Sequence, residues 1–171
     1  MARIFHIGID IGKQGALAFE HKDISYTTKM PMIKTELDYQ GLYELLQEFE
    51  GGNGIVVFEK LGVIFGTSKQ TAFSMGHQAG AIEMLCVSLS IPFVKVPPKQ
   101  WQKDMFTGIT EISKPSKSGK SSVRDTKAMA LLAVKQLLPN EKLTFGDRAT
   151  KPDDGLIDAL LLREWAKRMY P

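Results

Sequence analysis

Cysteine is almost absent from this chain. Cys86 is the only one in 171 residues, so no intramolecular disulfide can form and a reducing compartment is the expected setting. That thiol lies in the apolar run Met84-Leu85-Cys86-Val87, the context of a small buried hydrophobe rather than of a nucleophile. Histidine is scarce as well. His6, His21 and His77 fall in a strand, a turn and a helix, without the spacing of a zinc site. Long hydrophobic stretches are missing too: no apolar run approaches the ~18 residues needed to span a bilayer, so no membrane partner is expected. Residues 1–6 lack the apolar core and small-residue cleavage site of a secretory leader. The expected location is therefore cytoplasmic, in a bacterial or phage-infected cell, with an organelle as the other setting. What is present is an ordinary globular composition, 43% hydrophobic and 24% charged, in a length suited to a single domain over residues 1–171.

The net charge of +3 is too small to name a partner, but its distribution is uneven. Between Lys95 and Lys135, the cations Lys95, Lys99, Lys103, Lys114, Lys117, Lys120, Arg124, Lys127 and Lys135 face only Asp104, Glu111 and Asp125. Within that stretch, residues 113–122 carry turn formers and lysines but no apolar anchor, which predicts a mobile exposed loop. A mobile cationic loop suits a phosphate backbone, although a solvated basic loop has the same composition.

Residues 3–10, 15–20 and 24–30 read as three strands in a meander, and 38–49 as an amphipathic helix closed by Gly51-Gly52. The short apolar run 54–59 has the character of a strand buried on both faces. Helical periodicity covers 67–89, where Gly76, Ala79, Gly80 and Ala81 form a small-residue stripe suited to a dimer contact or to intramolecular packing. Residues 91–96 form a fifth strand, ended by Pro97-Pro98, which opens a short helix through Trp101 and Met105. Helices over 122–138 and 153–169 complete the chain. This order predicts an α/β fold of the ribonuclease H-like type, with a mixed five-stranded sheet flanked by helices.

Four carboxylates stand where apolar elements meet small or polar turns: Asp10, Glu59, Asp154 and Asp158. In this topology the strands ending at Asp10 and Glu59 are neighbours, while Asp154 and Asp158, four residues apart, share one face of the last helix. Like charges gathered beside an apolar sheet need a cation to coexist, most naturally Mg²⁺ or Mn²⁺. Two such ions ~3.5–4 Å apart would suit in-line attack on a phosphodiester. Each residue also has a plainer reading. Asp10 could be a turn residue, Glu59 could pair with Lys60 or Lys69, and Asp154 with Asp153 could simply begin a helix. Asp158, set among Leu156, Ile157, Ala159 and Leu160, is the hardest to dismiss, because an unpaired buried carboxylate costs several kcal/mol.

The run Ile7-Gly8-Ile9-Asp10-Ile11-Gly12-Lys13-Gln14-Gly15-Ala16-Leu17-Ala18, then Val57-Phe58-Glu59-Lys60, then Asp154-Gly155-Leu156-Ile157-Asp158-Ala159-Leu160-Leu161, resembles RuvC-type Holliday junction resolvases. Residues 96–103, Val-Pro-Pro-Lys-Gln-Trp-Gln-Lys, are similar to phage and organellar members of that group. The resemblance implies a homodimeric, metal-dependent endonuclease that nicks opposing strands of a four-way junction symmetrically, leaving 5′-phosphate and 3′-hydroxyl ends. It implies Asp10, Glu59, Asp154 and Asp158 as catalytic metal ligands for two Mg²⁺, with Mn²⁺ as a substitute and no nucleotide cofactor. In many bacterial members the last two acidic residues stand three apart; here position 155 is Gly and the partner is Asp154, with Asp153 as a lesser substitute. The resemblance further implies an exposed aromatic after the second acidic residue, for which Phe65 is the candidate, either stacking on an unpaired base or tucked into the domain. Lys114, Lys117, Lys120 and Arg124 resemble the DNA-contacting basic region, and Lys13 and Lys151 are auxiliary candidates near the scissile phosphate. Phe73 and Met75 are expected in the core or at a dimer contact.

Three other readings share parts of this pattern. Gly8-Ile9-Asp10-Ile11-Gly12 also resembles the first phosphate loop of sugar kinases and actin-type ATPases, but those close two such lobes around a nucleotide and this chain has length for one. A noncatalytic junction-binding protein would be favoured by a missing carboxylate, and all four are here. A nuclease acting on flaps or RNA/DNA hybrids carries the same quartet.

Overall fold

Strict alternation in the first strand sets the architecture of the computed structural model, which describes residues 4–22, 24–62, 68–116 and 118–171. In β1 (Ile4–Ile9), Phe5, Ile7 and Ile9 point into one apolar layer. His6 and Gly8 point the opposite way, toward the C-terminal helix. β1 pairs antiparallel with β2 (Ala16–His21), which pairs antiparallel with β3 (Ile24–Lys29). On its other side β1 runs parallel to β6 (Asn53–Glu59), and β6 runs parallel to β7 (Phe93–Val96). The sheet order β3-β2-β1-β6-β7 is the expected mixed five-stranded sheet. Two two-residue strands, β4 (Met32–Ile33) and β5 (Glu36–Leu37), make a small separate hairpin that the sequence pattern does not announce.

Helices cover both faces. α1 (Tyr39–Leu46) and α2 (Lys69–Ser88) lay Leu42, Leu46, Ile82 and Cys86 on the layer of Phe5 and Ile7. α3 (Pro98–Met105), α4 (Thr126–Leu137) and α5 (Asp154–Met169) cover the other face with Trp101, Met105, Ala133, Leu160 and Trp165. Cys86 is fully buried, and burial pushes its thiol up to about 12, as befits an inert core residue. Arg163, on α5, is buried too; its guanidinium holds Glu141 at 2.8 Å and Glu20 at 3.6 Å, tying the helix to β2. No helix among the described residues is long and apolar enough to cross a membrane.

Two local expectations change. The expected loop over 113–122 is bounded by paired strands: β8 (Ser113–Pro115) runs antiparallel to β9 (Ser122–Arg124), so Lys114 and Lys120 ride on an exposed hairpin. Backbone bonds close it, Ser116 N–H donating to Ser121 O at 2.8 Å and Gly119 N–H to Ser116 O at 2.9 Å, with Gly119 at φ +70°. The following helix consequently starts at Thr126 rather than near 122, where the Asp125 carboxylate accepts from Ala128 N–H and caps it. For Phe73, expected in the core or at a dimer contact, the core is excluded, since the residue is 75% exposed.

Candidate active site

Parallel pairing of β1 and β6 opposes Ile9 to Phe58, so Asp10 and Glu59 follow one another across the same sheet end. Both lie on the α5 side, because Gly8 and Val57, two residues earlier, do. The turn after Asp10 is fixed by backbone bonds: Asp10 N–H donates to Ala16 O at 3.0 Å and Gly15 N–H to Gly12 O at 2.9 Å. Glycine is required at position 15, since a Cβ there would sit 2.1 Å from the Asp10 carbonyl oxygen. From above, α5 starts with Asp154 and places Asp158 one turn further in. Asp153 caps this helix, its carboxylate accepting from Leu156 N–H at 3.0 Å, which leaves Asp154 as the residue presented from the first turn.

Gly155 leaves no room for a side chain between the two acidic residues of α5. A Cβ at 155 would stand 2.3 Å from the Gln14 carbonyl oxygen and 3.0 Å from Asp10 Oδ2. No acidic side chain fits there. The helix end presses against the β1–β2 turn, and Asp154 is the first-turn carboxylate left facing the cavity.

Asp10, Asp153, Asp154 and Asp158 line a cavity of about 460 Å³ with Lys127 and Lys151 at its rim. Glu59 lies beside it, its Oε1 accepting from Trp101 Nε1–H at 2.8 Å. Burial, then the charges of Asp158, Glu59 and Asp153, push the Asp10 carboxyl up to about 8, against a downward pull from Lys127. Burial, then Glu59 and Asp154, push Asp158 up to about 7. Glu59 is also raised by burial, partly offset by the Trp101 hydrogen bond. At the open end of the cavity, Lys127 Nζ donates to Asp154 Oδ2 at 2.6 Å, a bond that raises the lysine's own pKa.

The donor set suits a hard divalent cation: carboxylate oxygens only, two of them held together against their own repulsion. Among the described residues no three acidic, histidine or cysteine side chains stand in an arrangement that could hold a metal ion. Asp154 instead faces the Lys127 ammonium.

No family model matches the sequence, and neither does any curated protein. Solved structures do match. Thermus thermophilus RuvC in complex with a Holliday junction substrate is 17% identical, with a TM-score of 0.56 over 97% of this chain and 96% of that one. A second T. thermophilus RuvC structure is 20% identical, with a TM-score of 0.54 over 96% of each chain. The fold is that of RuvC. Nearly end-to-end coverage at this identity means that the RuvC-like architecture is kept while most side chains differ.

On this RuvC-like frame the expected site residues divide. Asp10, Asp154, Asp158 and Lys151 line one cavity and Glu59 adjoins it. Lys13 does not: it lines a neighbouring groove across Gly12. Lys114 and Arg124 are engaged within the protein. Lys114 Nζ donates to Asp125 at 3.0 Å, and the Arg124 guanidinium sits 5.5 Å over the Phe106 ring while its Nε contacts Met129 Sδ. Lys120 is exposed on the hairpin turn. Phe65 and Lys117 lie outside the described residues. Sequence reasoning missed Lys127 and the role of Trp101. A signal for the lysine was available, since a cation in the first turn of a helix opposes the dipole and needs a local anion.

Proposed function

We propose that this chain is a metal-dependent endonuclease of branched DNA, with the four-way junction as its substrate and a homodimer as its working form. The observation that carries this reading is the burial of Asp10 and Asp158 in one cavity that Asp154 also lines, with Glu59 adjoining, at the sheet end of a RuvC-like fold. The structural neighbour bound to a Holliday junction substrate supports the choice of DNA.

Asp10, Glu59, Asp154 and Asp158 would hold two Mg²⁺, or Mn²⁺ in their place. Bound there, such ions supply activation of water and charge stabilisation at the leaving oxygen. The chain's own residues prepare that chemistry. Burial first, and then neighbouring carboxylates, hold Asp10 and Asp158 well above the usual carboxylate range, so a cation bound there would displace protons from them. Trp101 Nε1–H fixes the orientation of Glu59, as a hydrogen bond behind a ligand does. Lys127 and Lys151 present ammonium groups at the cavity rim, where a backbone phosphate lies against the carboxylates. Two such sites in a symmetric dimer would nick opposing strands, leaving 5′-phosphate and 3′-hydroxyl ends that can be rejoined.

The test is cleavage of a synthetic four-way junction in Mg²⁺, beside linear duplex, flap and RNA/DNA hybrid of the same sequence, with Asp10→Asn in parallel. Paired symmetric nicks in the junction, absent in the variant while binding persists, are expected. Tight binding without cleavage in Mg²⁺ or Mn²⁺ would leave a junction-binding protein, and preference for flap or hybrid would assign another substrate to the same carboxylates.

A further inference from the structure

Between α4 and α5 the chain makes a loop that is pinned at both ends. Asp153 N–H, at the cap of α5, donates to Leu143 O at 2.9 Å and closes residues 143–153 at a neck. Just before the neck, Glu141 is held at 2.8 Å by the Arg163 guanidinium, which is 2% exposed, and accepts from the Ser25 hydroxyl at 2.7 Å. α5 thus fastens this segment twice, at its cap and again at Arg163. Leu143 and Phe145 pack against the core on the α5 side, and the Lys29 ammonium lies 5.5 Å from the centre of the Phe145 ring. This is an Ω-loop, compact because its ends meet and its own side chains pack. Residues 146–151 are left exposed, beside the stretch Lys151, Pro152 and Asp153 that walls the carboxylate cavity. Asp147 is paired with Lys142 at 3.1 Å, whereas Arg148 and Lys151 make no ion pair among the described residues. The loop and the basic hairpin flank the cavity from opposite sides. Phe145 meets Lys29 of the edge strand β3, while Arg124 of the hairpin meets Phe106, whose neighbour Trp101 reaches Glu59 on β6. In the sheet, β3 and β6 lie on either side of β1.

Resting on the branched-DNA reading above, we infer that the loop over 143–153 is a second phosphate-backbone surface, taking the DNA strand that leaves the cavity on the β3 side through Arg148 and Lys151, with Glu141 as its positioning residue. Two cations that have no anion within the protein surrender no existing partner when they meet a phosphate, and each phosphate they neutralise releases counterions. Their place on a pinned loop fixes where along the strand they act. Glu141 acts through the loop: no residue lines both the cavity and the pocket around Arg163, so its carboxylate bears on the site only by holding the segment that carries Arg148 and Lys151. A carboxylate-bearing protein partner fits this surface less well, because the acidic cavity beside Lys151 would repel it.

The experiment uses the full chain with Asp10→Asn to keep DNA intact, and a synthetic four-way junction. Adding Arg148→Ala together with Lys151→Ala is expected to lower the slope of log affinity against log salt by about two, with the melting temperature of the parent. Single methylphosphonates along the cut strand locate the contact. Neutral linkages on both sides of the scissile position weaken the parent; the paired variant becomes insensitive on one side, and Lys120→Ala on the other. Glu141→Gln, in which Arg163 keeps Glu20, Ser25 and Phe19 O as partners, is measured at a temperature where circular dichroism shows it folded. It should weaken junction binding alone and add no further loss to the paired variant, the non-additivity of residues that act as one unit. An unchanged salt slope in the paired variant, or insensitivity on the same side as Lys120→Ala, would overturn the surface. A Glu141→Gln loss that adds in full to that of the pair would overturn the positioning role. Should the unsubstituted chain bind junctions but fail to cut them in Mg²⁺, these affinities still decide the loop and only the catalytic reading falls; a chain that binds no branched DNA would end both.

Discussion

Gly8 and Ala159 touch backbone to backbone: a Cβ on Gly8 would lie 2.2 Å from the Ala159 carbonyl oxygen and 2.3 Å from Arg163 N. This contact lets α5 lie directly on β1, and it sets the height at which Asp158 meets Asp10. A methyl at position 8 forces helix and strand apart. Gly8→Ala is expected to destabilise by at least the ~1–3 kcal/mol typical of overpacking, because backbone is all that could yield. The melting temperature should fall by roughly 2–4 °C per kcal/mol. Junction cleavage should fall further than the folded fraction does, measured at a temperature where the variant is still folded by circular dichroism.

The buried carboxylates link stability to pH with a definite sign. Asp10 and Asp158 are raised to about 8 and about 7 in the folded chain, far above their unfolded values near 3.8. Between those limits the folded state binds more protons than the unfolded one, so metal-free stability is highest at acid pH and falls as pH rises from about 4 to 8. Melting curves in chelator should show this decline. Millimolar Mg²⁺ should reverse it at pH 8, and Asp158→Asn should raise the metal-free melting temperature there while abolishing cleavage. A metal-free melting temperature that climbs from pH 5 to pH 8 would refute the electrostatic account.

Lys127 is expected to matter to activity and hardly at all to stability. Its ion pair with Asp154 is exposed, 69% for the lysine and 54% for the aspartate, a setting worth at most ~1 kcal/mol. Lys127→Ala should melt close to the parent yet cut junctions roughly a hundredfold more slowly, the scale of losing one group that stabilises developing charge. Single-turnover rates at saturating protein, beside the melting curve, separate the two effects.

The basic residues of the β8–β9 hairpin should not behave alike. Lys120 is exposed on the turn, so Lys120→Ala should weaken binding to all DNA forms and lower the slope of log affinity against log salt by about one. Lys114 is joined to the Asp125 carboxylate that caps α4. Lys114→Ala should therefore loosen the hairpin, seen as faster amide exchange at Ser113–Arg124, with a smaller change in salt slope. Equal salt-slope changes in both variants would contradict this division.

Much of the fold was legible in the chain because alternation and helical spacing are local properties. The apolar run ending at Glu59, the Phe5-Ile7-Ile9 alternation and the Leu42-Leu45-Leu46 stripe each specify an element without reference to the others. Strand order followed from the sequence of elements, and the acidic quartet stood out because carboxylates beside apolar runs are costly. The basic hairpin was not legible, since its strands bury nothing and leave no hydrophobic period. For Phe73 the chain left core and dimer contact open, because an aromatic within a helical apolar pattern suits either, and only packing reveals that α2 turns that ring outward.

The sequence by itself thus determined the elements, the mixed sheet and the identity of the carboxylates, all of which follow from which residues cost free energy in water or in a core. Tertiary structure alone decided what each carboxylate meets. The burial that raises Asp10 and Asp158, the Trp101 N–H behind Glu59 and the Lys127 ammonium on Asp154 join residues 27 to 148 positions apart. Electrostatic strength depends on distance and on exclusion of water, and neither exists until β1, β6, α3, α4 and α5 have packed.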